Sequence, residues 1–143
     1  MAKTFSTQRL IRFSHCDPAG IVFFVNFFEM ISGIVEDWFR EAVHLPFDEM
    51  HLERRVGFPI VNTGCEFFRP CHLGDTLVLE LAIARLGRSS ITFDIRGRVG
   101  GDGKFRGHHK VAHVSLETFK SIPIPDDMRE RMLPYCAPAK EPD

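Results

Sequence analysis

Between Phe24 and Val43 the chain carries an apolar stripe at helical spacing, formed by Phe24, Phe27, Ile31, Ile34, Val35, Trp38 and Ala42 and widened by Phe28, Met30 and Phe39. A helix with so little polar surface needs apolar cover over most of its circumference. Its polar remainder is Glu29, Gly33, Glu36 and Arg40, with Glu36 and Arg40 spaced as an i,i+4 pair. Four downstream segments, Ile60–Phe68, Thr76–Leu86, Ser90–Arg98 and Phe105–Phe119, supply the cover. Each is bounded by Gly, Asp or Pro. Leu77, Leu79, Leu81 and Ile83 alternate with polar or small residues, as do Ile91, Phe93 and Ile95, so each strand has one face for a core. The turns at Gly87-Arg88 and Gly100–Gly103 are too short for helical crossovers and favour antiparallel hairpins.

A first strand over Phe5–Phe13 and a short helix over Pro46–Arg55, stopped by Gly57, complete the order. The pattern predicts an α+β fold in which an antiparallel β-sheet wraps one long central helix. With 143 residues, of which 44% are hydrophobic, there is material for one core. Residues 1–133 are read as a single domain. Residues 134–143, with three prolines and few apolar side chains, are read as a flexible C-terminal tail.

A formal charge of -1 leaves no broad basic field for nucleic acid or an anionic membrane. The longest apolar run is interrupted by Asn26 and Glu29 well short of a membrane span. Cys16, Cys65, Cys71 and Cys136 lack zinc-type spacing, and residues 1–13 lack the apolar core of a secretory signal, which points to a reduced cytoplasmic protein. His109 and His113 stand four residues apart on a strand, about 13 Å, too far to share one ion. No metal and no cofactor are expected.

Chemistry concentrates before the helix. Asp17 sits one Pro18/Gly20 turn away from its start, and the first N–H groups of a helix have no internal acceptor and lie at the positive end of its dipole. A backbone N–H near Phe23 or Phe24 can polarise an acyl oxygen while Asp17 attacks or activates water. A thioester suits this arrangement because its thiolate leaves readily, whereas an amide needs a leaving-group proton that the segment does not offer. Two roles for Asp17 are open, the cap of a turn or the reacting carboxylate. Strand alternation would point His15 the same way as Asp17, where it could orient the acid, and Cys16 the other way. Arg88, Ser89 and Ser90 at the Gly87 turn, and less distinctly Arg69, Lys104 and Arg106, can donate to phosphates.

The segment HCDPAGIVFFVNFFEM, residues 15–30, resembles the active-site segment of the 4-hydroxybenzoyl-CoA thioesterase family of hotdog-fold proteins. FRPCHLGDTLVLE, residues 68–80, and LGRSSITF, residues 86–93, resemble the strand-turn pattern of the same family. The likeness spans about residues 8–120. It implies a hotdog fold and hydrolysis of an acyl-CoA, with Asp17 as nucleophile or general base and the Phe24 backbone N–H on the thioester carbonyl. It further implies a homo-oligomer, a dimer paired into a homotetramer, with active sites at the dimer interface. His15, Phe23, Asn26 and Ser32 are then orienting or acyl-pocket residues, and Arg88, Ser89 and Ser90 hold CoA.

Two positions depart from the family pattern. Phe24 replaces a commoner Tyr or His, which removes a polar side chain but leaves the backbone donor. Ser32 replaces the aspartate that recognises a substrate hydroxyl in the 4-hydroxybenzoyl-specific members. The implied acyl group is aromatic, of benzoyl or hydroxybenzoyl type, or short-chain. Two rival readings compete: a hotdog dehydratase or thioesterase using Glu29 or Glu36 on the helix, and a non-catalytic acyl-CoA binding module.

Overall fold

The computed structural model describes residues 2–137. In chain order the elements are β1 (Phe5–Leu10), α1 (Val25–Glu41), α2 (Phe47–Glu49), β2 (Val56–Gly57), β3 (Ile60–Phe67), β4 (Thr76–Leu86), β5 (Ser90–Val99), β6 (Asp102–Ala112), β7 (Val114–Ser115) and α3 (Asp126–Met132). Five strands form one antiparallel sheet in the order β1-β4-β5-β6-β3, and β2 pairs with β7 in a separate ribbon. Among the described residues no helix is long and apolar enough to cross a membrane.

Alternation along the strands places the core. Leu77, Leu79, Leu81 and Ile83 of β4, Ile91, Phe93 and Ile95 of β5, and Phe105 and Val111 of β6 are all buried against Phe27, Ile31, Ile34, Val35 and Trp38 of α1. Burying a side chain of this size contributes roughly 1.5–3 kcal/mol before entropy is counted. Trp38 meets Phe93 edge-on at 5.2 Å and Phe39 at 5.0 Å. Two glycines let the sheet close on its contents. A Cβ at Gly107 would approach Ile31 Cδ1 at 3.1 Å, and one at Gly97 would run into the ring of Phe105.

Several boundaries differ from the sequence reading. The first strand stops at Leu10, because the ladder with β4 ends at Leu10↔Thr76, and Phe13–His15 turns as a 3-10 helix. The short helix widens to π geometry over Met50–Arg54 and ends at Arg55, whose φ is 55°, so Gly57 is a strand residue and not the stop. The expected Phe105–Phe119 strand breaks at His113. There the backbone N–H donates to the Ser89 carbonyl at 2.7 Å, and Val114 leaves the sheet to pair with Gly57. Arg40 pairs with Asp48 at 3.2 Å instead of with Glu36.

The C-terminal segment also departs from expectation. Helix α3, which the sequence reading does not predict, buries Met128 and Met132. Pro134–Ala137, assigned to the flexible tail, is held in place. The Pro134 carbonyl accepts from Lys3 N at 2.8 Å, Tyr135 meets Trp38 edge-on at 5.7 Å, and Cys136 bridges Ile83. The remainder of that tail, 138–143, lies outside the described residues.

Candidate active site

The Asp17 segment is a small hairpin. Phe23 N donates to the His15 carbonyl at 3.0 Å, Cys16 bridges Val22, Asp17 N donates to the Ile21 carbonyl at 2.9 Å, and Gly20 closes the turn at a φ of 78°. That positive φ is the reason for glycine at this position. The hairpin is docked on the loop before β4, through Val22 N to the Cys71 carbonyl at 2.9 Å and Leu73 N to the Gly20 carbonyl at 3.0 Å. One carboxylate oxygen of Asp17, Oδ1, accepts from Ala19 N at 2.8 Å. The other has no protein partner among the described residues. Asp17 is thus a turn cap with one oxygen free.

Helix α1 begins immediately after the second arm. Phe24 is its N-cap, without a side-chain cap, and the first turn holds no acid. Around it the amides are used: Phe23 N by His15 O, Asn26 N by Phe23 O at 2.9 Å and Phe27 N by Phe24 O at 3.1 Å. The N–H groups of Phe24 and Val25 have no acceptor among the described residues. They form the positive end of a 17-residue helix.

No hydrogen bond joins His15 to Asp17 among the described residues. Because Phe13–His15 is a 3-10 turn, strand alternation does not apply, and His15 Nδ1 accepts from Arg12 N at 2.9 Å. With Asn26 and Ser32 it lines a cleft of about 420 Å³ along the polar face of α1, which Arg9, Glu29 and Glu36 also border. Asp17 lines a neighbouring depression, also of about 420 Å³, with Phe13, Cys16 and Leu73. Phe23 and Phe24 are 43% and 54% exposed and stack edge-on at 5.2 Å, whereas Phe27 is core. Phe67, at the end of β3, packs on Phe24 at 6.4 Å and on Phe27 at 5.6 Å, extending this aromatic surface.

Arg88, Ser89 and Ser90 lie on the β4–β5 turn. Within one chain this turn is the length of the 11-residue strand β4 away from the Asp17 hairpin, roughly 30 Å. A single chain does not bring the two together. Burial pushes the thiols of Cys65 and Cys71 up to about 11, so at neutral pH neither is a thiolate nucleophile. His109 and His113 are buried, the first beside Thr63 Oγ1 at 3.1 Å and the second donating to the Ile122 and Pro123 carbonyls at 3.1 Å each.

Sequence reasoning missed Arg9, whose guanidinium reaches the cleft while bound to Asp37 at 2.6 Å, and Phe67, whose ring covers the helix entrance only after the sheet curls. Arg9 could have been found as an inward-pointing charge on a strand. Phe67 gave no signal separable from core.

The sequence profile of the thioesterase superfamily matches residues 20–105, more than half of the chain. The chain belongs to the thioesterase superfamily. It is a thioester hydrolase with a hotdog fold. It is 26% identical over 124 residues to a 1,4-dihydroxy-2-naphthoyl-CoA hydrolase of Synechocystis sp., covering 85% of this chain and 89% of the relative. It is 33% identical over 91 residues to a 4-hydroxybenzoyl-CoA thioesterase of Pseudomonas sp., covering 63% and 64%. The crystal structure of a thioesterase superfamily protein from Jannaschia sp. superimposes with a TM-score of 0.88 at 27% identity, covering 94% of both chains.

Proposed function

We propose that this thioesterase hydrolyses an aromatic acyl-CoA, of benzoyl or hydroxybenzoyl type, or a short-chain acyl-CoA, to the free acid and CoA. The observation that carries the reading is the Phe24 N–H, left with that of Val25 without an acceptor among the described residues at the mouth of α1, while the neighbouring amides of Phe23, Asn26 and Phe27 are used. That donor polarises the thioester carbonyl, and the free oxygen of Asp17 either attacks the carbonyl carbon or takes a proton from the water that does. In the first route the carbon–sulfur bond breaks, CoA thiolate leaves and is protonated, and water hydrolyses the resulting mixed anhydride. In the second, water adds directly and the same thiolate departs. The half-exposed rings of Phe23 and Phe24 and the Ser32 hydroxyl in the cleft support an aromatic acyl group. Both relatives named above act on hydroxylated aromatic CoA esters.

The active unit in this reading is a dimer, paired into a tetramer. Strand β3 is a sheet edge, with Ile60 and Val61 more than half exposed. Its Phe67 end lies beside Phe24, and its Ile60 end lies beside Val111, near the Gly87 turn. Antiparallel pairing of two β3 edges about a two-fold axis would therefore bring the Arg88–Ser90 turn of a second copy to the end of the sheet that carries Asp17, closing the gap left in one chain.

A thiol-release screen over benzoyl, hydroxybenzoyl and short aliphatic CoA esters tests the proposal. Turnover of an aromatic ester that collapses in Asp17→Asn but persists in Glu36→Gln supports it. A second reading rests on Glu29 and Glu36, which border the cleft with no ion pair among the described residues; the reverse outcome favours it. Binding of the CoA ester without thiol release would leave a binding module.

A further inference from the structure

In the Gly87–Ser90 turn the carbonyls of Gly87 and Arg88 face α3. Arg129 Nη2, from α3, donates to the Gly87 carbonyl at 2.8 Å and to the Arg88 carbonyl at 3.1 Å. The Arg88 carbonyl also accepts from Ile124 N at 2.9 Å, the Ser89 carbonyl from His113 N at 2.7 Å, and the Ser90 carbonyl from Gly87 N at 2.8 Å. A trans peptide unit holds its C=O and the following N–H antiparallel. Fixing the Gly87 and Arg88 carbonyls on Arg129 therefore turns the N–H groups of Arg88 and Ser89 away from α3. Neither of those two amides has an acceptor among the described residues. The exposed Arg88 side chain accompanies them, without an ion-pair partner among the described residues.

Consecutive outward amides beside a guanidinium form a concavity for an anion. Arg129 itself has no carboxylate at ion-pair distance among the described residues, so its charge also stays uncompensated behind the turn. We propose that Arg129 is a positioning residue for binding of the CoA phosphates, acting through the two carbonyls it grips and touching no substrate. The proposal rests on the reading that Arg88, Ser89 and Ser90 hold CoA.

The test is calorimetric titration of the full chain with free CoA and with pantetheine, which lacks the phosphates, for Arg129→Met, Arg129→Lys and Arg88→Ala. Loss of the positioning contacts should weaken CoA binding about tenfold in Arg129→Met and less in Arg129→Lys, with pantetheine affinity unchanged. In turnover, KM for the CoA ester should rise by the same factor while kcat stays within about twofold. Equal weakening of CoA and pantetheine would reduce Arg129 to a structural role and overturn the proposal. Unchanged CoA affinity in both Arg129 variants, with weakening in Arg88→Ala, would remove Arg129 and leave the CoA turn standing. Unchanged CoA affinity in Arg88→Ala would remove the CoA turn itself. If Arg129→Met does not fold, the CoA-to-pantetheine ratio in Arg129→Lys decides by the same criteria.

Discussion

The side-chain amide of Asn26 donates to the backbone carbonyl of His15 at 2.7 Å, and so ties the first turn of the long helix to the hairpin arm that leads into Asp17. The same carbonyl accepts Phe23 N at 3.0 Å, so one oxygen sets the spacing of the two arms and of the amide that follows them. Asn26→Leu keeps the volume and removes the donor. The expected result is a stability loss of about 1 kcal/mol by urea unfolding and a drop in kcat of about tenfold. A variant with unaltered kcat would mean that hairpin and helix keep their spacing without this bond.

Asp17→Asn keeps an oxygen able to accept from Ala19 N, so the turn and the melting temperature should be retained. If Asp17 carries the proposed chemistry, removal of its carboxylate should lower kcat by about 10²–10⁴ in a thiol-release assay. Retention of more than a tenth of wild-type turnover would exclude Asp17 from the chemistry.

Val61→Lys sets a charge on the exposed apolar edge strand. The expected species by size exclusion with light scattering is a folded monomer, with turnover reduced at least about tenfold because the proposed dimer no longer forms and the Arg88–Ser90 turn of a second copy is not supplied. An active monomer would show that each chain completes its own site.

Acid sensitivity follows from His113 and His109. Burial pushes both below their ordinary value of 6.5, so the folded chain holds them neutral while the unfolded chain takes up protons there. The unfolded state binds more protons in the window below 6.5, and stability therefore rises with pH through that window and is fully present above it. Urea unfolding from pH 7.5 to 5 should show a falling free energy, with a shallower slope in His113→Asn. Equal slopes in the two proteins would assign the acid loss to other groups.

Much of this architecture is written locally in the chain. The stripe of α1 repeats over several turns, and the in-out alternation of β4 and β5 persists over whole strands, so the period alone names the element and its inner face. Helix α3 has only Met128 and Met132 facing inward, too few to define a period. The break at His113 is caused by the Ser89 carbonyl and by pairing with Gly57, both distant in sequence, while local alternation continues through it. The site divides in the same way. The turn at Asp17 and the open amide at Phe24 are legible because Pro18, Gly20 and the start of the apolar stripe mark a turn feeding a helix; that they react is the proposal. The direction of the His15 ring depended on a 3-10 turn that strand spacing concealed. Arg129 meets the Gly87 turn across 42 residues, a contact that no local pattern encodes.

The ring of Phe105 occupies the space that a side chain at position 97 would need, and it also lies 5.0 Å from Phe27 under the aromatic entrance. The two positions are therefore one steric unit. In a library randomised at both and selected for turnover, survivors should pair a diminutive residue at 97 with a bulky one at 105, and neither site should drift alone.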